Sequence, residues 1–108
     1  MTETTQIEAG RELDALVAVE VMGWTKLGEW LWRNSDERDF SDPPRYSTTG
    51  DGMLAVLERM RELGWYGRTG FLPDGCAEFQ HATGHVVGGI ADTLPHAVCL
   101  AALEAVRA

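Results

Sequence analysis

Basic side chains are scarce in this sequence: nine Lys and Arg stand against seventeen Asp and Glu, a formal charge of −8. Such a balance repels phosphate backbones and argues against direct electrostatic binding of DNA or RNA. The deficit is uneven, with seven basic and thirteen acidic residues in 1 to 64 but two and four in 65 to 108, which puts the acidic surface mostly in the first half. Cysteine is equally sparse. Cys76 and Cys99 are the only two, and with no charged and apolar leader pattern at the N-terminus they read as free cytosolic thiols rather than a disulfide. No apolar run approaches the ~20 residues of a membrane span, so a soluble, cytoplasmic protein is expected. Phosphate-binding glycine motifs are missing too: Thr69-Gly70 and Val87-Gly88-Gly89 fit neither the P-loop nor the dinucleotide fingerprint, and mark bulges or close helix contacts instead.

What remains is an ordinary globular composition, 44% hydrophobic and 24% charged over 108 residues. A chain of this length forms one domain, residues 1 to 108, able to bury roughly two-thirds of its unfolded surface without a metal or disulfide staple. Two predicted helices stop in the same way, at Val21-Met22-Gly23-Trp24 and Glu62-Leu63-Gly64-Trp65. A Gly just past the last turn takes the left-handed conformation that closes a helix, and the Trp after it folds back into the core.

Thr5-Gln6-Ile7-Glu8 has capping-box spacing, and Leu13, Leu16, Val17 and Val21 then share a helical face, predicting a first helix over about 6 to 22. Arg11, Glu12 and Glu20 on its opposite side read as a solvated face. Residues 24 to 46 read as one long connection, with the aromatic stretch Glu29-Trp30-Leu31-Trp32-Arg33, an acidic loop over 35 to 42 and a Pro43-Pro44 stop. Connections this long are functional or mobile, so a partner is to be sought here. Ser47 or Thr48 caps a second helix over about 49 to 63, with Met53, Val56, Leu57, Met60 and Leu63 as its apolar face. Segments 65 to 72, 76 to 81 and 85 to 90, separated by Pro73-Asp74-Gly75 and Ala82-Thr83-Gly84, predict an antiparallel three-stranded meander. A last helix capped by Asp92 or Thr93 is apolar all round from Ala97 to Val106 except Glu104, and is therefore buried. The class is α+β: helix, long connection, helix, meander, helix.

Three of these blocks together resemble the phage ABA sandwich domain, a family of small bacteriophage and prophage proteins. They are Arg11-Glu12-Leu13-Asp14-Ala15-Leu16-Val17-Ala18 running to Val21-Met22-Gly23-Trp24, the Tyr46-Ser47-Thr48 approach to the second helix, and Ala91-Asp92-Thr93-Leu94-Pro95-His96-Ala97 leading into the last. The resemblance implies a phage or prophage origin and a layered α/β/α sandwich. It carries no catalytic residues, since members are largely without an assigned function.

Chemistry by residue type is thin. Cys76, His81 and His85 have metal-like spacing, but on a meander Cys76 and His81 point to opposite faces of one strand, so no metal site is expected. His96, in the first turn of the last helix, reads as a packed or capping histidine. Asp36, Glu37, Asp39 and Asp42 lack EF-hand spacing and have Arg38 among them. No catalytic constellation and no cofactor motif occur, so the chain reads as a non-enzyme without a cofactor.

The preferred expectation is a phage accessory protein that binds and inhibits a host protein, in an anti-defence or anti-CRISPR role. Acidic inhibitors occupy basic grooves meant for nucleic acid, so a nucleic-acid-binding defence component is the favoured target. Trp30, Trp32 and Arg33 with Asp36, Glu37, Asp39 and Asp42 combine aromatic anchors with carboxylates in the manner of an interface core and rim. Two alternatives stand beside it: a binder that sequesters a nucleotide signal through Trp30, Trp32, Arg33 and Arg45, and a phage structural or packaging accessory. Exposed apolar sheet surface makes a homodimer reasonable.

Overall fold

The computed structural model describes residues 7–70 and 75–107. Thr5 and Gln6 of the expected capping box, and Pro73 and Asp74 of the first meander turn, lie outside the described residues.

Helix α1 spans Arg11–Glu20, shorter than expected at both ends. Gly10 precedes it at φ 140, with no side-chain cap. At the other end Gly23 stands at φ 79 and the Trp24 N–H returns to the Ala18 carbonyl at 2.8 Å, the wide bond of a left-handed closure. Helix α2, Gly50–Glu62, ends alike, with Gly64 at φ 92. Both tryptophans, Trp24 and Trp65, are buried in the core as the sequence predicts.

Thr49 caps α2, its Oγ1 accepting from the Gly52 N–H at 3.0 Å, where Ser47 or Thr48 was expected. Ser47 is otherwise engaged. Fully buried, it donates its N–H and its hydroxyl to Asp14 Oδ1 of α1, at 2.8 and 2.7 Å. A charged acceptor makes these bonds stronger than a cap at the same position.

The long connection is not unstructured. Strands β1 (Thr25–Gly28), β2 (Leu31–Arg33) and β3 (Asp39–Phe40) form a small antiparallel sheet in the order β1-β2-β3. At four, three and two residues these strands are too short to show an alternation that the sequence could reveal. The Asn34 side chain makes the second hairpin, its Oδ1 accepting from the Asp36 and Arg38 N–H groups at 3.0 and 2.9 Å while Glu37 sits at φ 63. Acidic composition that reads as a loop is in part this turn and its flanking strands.

The meander is as expected: β4 (Trp65–Gly70), β5 (Gly75–His81) and β6 (Val86–Ala91), paired in sequence order. Helix α3, Leu94–Arg107, follows, and its first turn is tied by Thr93, whose carbonyl accepts from Ala97 and whose Oγ1 accepts from His96. Residues Ala97 to Leu103 are buried on every side, because α3 packs against β5 and β6 on one side and against α1 and α2 on the other. Gly89 permits the close approach: a Cβ there would meet the Ala97 carbonyl oxygen at 2.8 Å.

The α+β class therefore holds, while the layering differs from the sandwich that the resemblance implies. Both α2 and α3 lie on the same side of the meander. On its other face Tyr66, Arg68, Glu78, Gln80, Val86 and Ile90 are exposed. No helix among the described residues is long and apolar enough to cross a membrane.

Candidate functional site

Three of the segments that carry the family resemblance meet in the interior rather than at a surface. Asp14 (6% exposed) receives both Ser47 bonds, and Ser47 Oγ accepts from the Gly10 N–H at 2.9 Å, so the start of α1 is fastened to the approach to α2. His96 shares a 2.7 Å hydrogen bond with the Ile7 carbonyl oxygen, which ties the first turn of α3 to the segment before α1. Tyr46 and Cys99 lie beside this network. Burial pushes the Tyr46 phenol up to about 12 despite its hydrogen bond with Trp24, and burial pushes the Cys99 thiol far up as well. A thiol held neutral in this way is a poor nucleophile. These groups hold the helices together.

The surface site lies elsewhere, where α1 faces the small sheet. A groove of about 640 Å³ runs between them. Its apolar part is Ala15, Leu16 and Val19 of α1 with Trp32 of β2, and Trp30 stands beside them. Trp30 occupies the β1–β2 turn, outside either strand, and is 61% exposed. Trp32, by contrast, is 4% exposed, and its indole N–H has no hydrogen-bond partner among the described residues. One tryptophan is an open contact and the other anchors the sheet.

Cations sit over both rings. The Arg11 guanidinium lies 4.4 Å from the Trp30 ring centre and also pairs with Asp42 at 3.1 Å; the Lys26 ammonium lies 5.4 Å from the Trp32 ring centre. Carboxylates complete the rim: Glu12, Glu20 and Glu29. Glu20 is taken up by Arg107, with two bonds of 2.7 Å, whose hydrogen bonding holds its carboxyl below the usual range. Sequence reasoning missed this wall, having read Arg11, Glu12 and Glu20 as merely solvated. The signal available was Val19, an apolar position of α1 that stands off its core face and is exposed.

The seven residues named from sequence do not form one patch. Trp30 and Trp32 line the groove. Arg33 and Asp39, register partners on β2 and β3, engage each other through two bonds of 2.8 and 3.3 Å, which raises the guanidinium's pKa and lowers the carboxyl's. Asp36 and Glu37 are exposed in the hairpin turn, and Asp42 is held by Arg11. Arg45 lies in a separate hollow with Asp14 and Asp42. A nucleotide platform built from both tryptophans with Arg33 and Arg45 is therefore not assembled.

Nor do Cys76, His81 and His85 converge. Cys76 belongs to the outward row of β5, while His81 and His85 pack edge-on to the Trp65 ring at 5.0 and 5.8 Å. No cluster of three metal-ligating side chains occurs among the described residues.

No curated protein matches the chain by sequence. Its fold is similar to a crystal structure described as a phage protein from Bacillus cereus ATCC 14579, with a TM-score of 0.75 and 19% identity over 100% of this chain and 95% of that one. At that identity the likeness concerns the fold. The family is decided by the sequence itself, since the model of the phage ABA sandwich domain matches residues 15–103, and the chain belongs to that family.

Proposed function

We propose that this phage-family protein is a non-enzymatic accessory that binds and inhibits a host protein, and that the groove between α1 and the small sheet is where it does so. The observation that carries the reading is Trp30, a large aromatic left 61% exposed beside apolar Leu16 and Val19. Exposed aromatics in a partly apolar concavity are the usual anchors of protein interfaces.

The rim selects the partner's chemistry. Arg11 is occupied by Asp42, Lys26 leans on Trp32, and Glu20 is held by Arg107, which leaves Glu12 and Glu29 as the carboxylates open to a ligand among the described residues. With −8 on the whole chain, the fitting occupant is a basic segment with apolar anchors, as in a host nucleic-acid-binding defence protein. Arg33 and Asp39 neutralise each other, which removes them from the contact surface.

Affinity capture from host lysate tests this. Wild type is expected to retain one salt-sensitive protein, Trp30→Ala to lose it at least tenfold, and Glu12→Lys with Glu29→Lys to lose it at low salt, while Asp36→Asn, away from the groove, keeps it. Retention by the two groove variants, with their folds intact by circular dichroism, would sink the assignment.

A further inference from the structure

The outer face of the meander is a second exposed surface, and its chemistry differs from the rest of the molecule. Strand register places Tyr66, Gln80 and Val86 in one outward row, Arg68, Glu78 and Gly88 in the next, and Gly70, Cys76 and Ile90 in the third. Ile90 is 67% exposed, Tyr66 64% and Val86 49%. The only charges in these rows are Arg68 and Glu78. On a chain of −8, this face is neutral.

Arg68 and Glu78 are direct cross-strand partners, yet neither makes an ion pair or side-chain hydrogen bond among the described residues. Beside them Gly88 contributes no side chain, and a hollow of about 630 Å³ opens over Arg68, Glu78, Gly88 and Ile90. One face thus presents a cation, an anion, projecting apolar side chains and a depression.

We infer that this face binds a second copy of the same chain, sheet against sheet. The argument is self-complementarity under a two-fold axis. With the axis along the strands, between β4 and β5, Arg68 of each copy comes opposite Glu78 of the other. A like-for-like stack of other surfaces would bring net acid against net acid, whereas this one pairs opposite charges twice. That axis lays β4 of each copy over β5 of the other and leaves β6 outside the overlap, so two strands about 4.8 Å apart and six residues long give a footprint of roughly 200 Å². That is well below the ~800 Å² per partner of a standard stable interface. The dimer is accordingly weak and concentration-dependent. This inference stands independently of the groove, which lies on the far side of α3 from the meander.

Sedimentation velocity at about 0.15 M salt or above, where charge is screened over about 8 Å, decides it. Wild type is expected to shift from monomer to dimer mass with concentration, and Tyr66→Lys, on the strand that the axis brings over the partner's β5, to stay monomeric with unchanged circular dichroism. Arg68→Glu and Glu78→Arg should each be monomeric alone, yet form a heterodimer when mixed, because only the mixture restores both opposite pairs. Monomeric wild type up to about 1 mM would overturn the inference. So would a dimer that survives Tyr66→Lys, or one broken instead by Trp30→Ala.

Discussion

Asp14 is the residue through which the fold can be tested most directly. A carboxylate 6% exposed costs several kcal/mol to desolvate unless its lone pairs are met, and here one oxygen accepts both the Ser47 N–H and its hydroxyl. Removing the hydroxyl alone leaves the carboxylate short of a donor and the Gly10 N–H, now bonded to Ser47 Oγ at 2.9 Å, without an acceptor. Ser47→Ala should therefore lose about 2 to 3 kcal/mol, measured as a lower urea midpoint with an unchanged slope. A loss below about 0.5 kcal/mol would mean that water takes over the hydroxyl's role. Asp14→Ala with Ser47→Ala should cost less than the sum of the singles, since no charge is left uncompensated.

At the scale of elements, Arg107 and Glu20 join the last turn of α3 to the last turn of α1 through two parallel bonds. The sign of the pH dependence follows from the depressed Glu20 carboxyl. At neutral pH both folded and unfolded chains carry the charge, and the bridge contributes fully. As pH falls through the ordinary value of 4.5, the unfolded chain takes up its proton first, and the contribution is gone once pH drops below the folded value. Glu20→Gln should then cost about 0.5 to 1 kcal/mol at pH 7, the discount reflecting side chains about a third exposed. That difference should shrink as pH falls below 4.5 and vanish once the folded carboxyl is also protonated. A constant difference across the range would show that packing, not charge, joins the helices.

The same scale shows what could be read from the residues alone. Gly23-Trp24 and Gly64-Trp65 mark helix ends because a positive φ and an apolar follower are local requirements that leave a local trace. The meander was legible through its turns, and α3 through its unbroken apolar run. The small sheet was not, because strands of two to four residues are specified by Asn34's turn and by Trp32's burial rather than by periodicity. The candidate site was half legible for a related reason: Trp30 and Trp32 could be named, but only their tertiary setting separates an open ring from a buried one. The wall that α1 contributes to the groove depends on the sheet that the sequence did not reveal.

For the molecule as a whole, the acidic excess should make salt act in opposite directions on folding and on partner binding. A radius of gyration of 13.1 Å corresponds to a sphere about 17 Å in radius, on which a charge of −8 carries on the order of 8 kcal/mol of self-repulsion in salt-free water. The unfolded chain, about twice as large in each dimension, keeps roughly half of that. Folding therefore concentrates charge at a cost of ~4 kcal/mol, which screening largely removes by about 0.5 M salt. Opposing this are the ion pairs at Arg11, Arg59 and Arg107, each worth about 0.5 kcal/mol at an exposed site, and the fully exposed Arg33–Asp39 pair, all of them also weakened by salt. Repulsion wins, and the urea midpoint should rise by the equivalent of ~1 to 2 kcal/mol between about 0.02 and 0.5 M NaCl. A groove complex with a basic partner should weaken over the same range, while the sheet-to-sheet dimer, formed by two bodies of like charge, should strengthen. Measured side by side, these slopes separate three processes that a single salt titration would confuse. A falling urea midpoint would show that the paired arginines, not the unpaired carboxylates, dominate the electrostatics of the free protein.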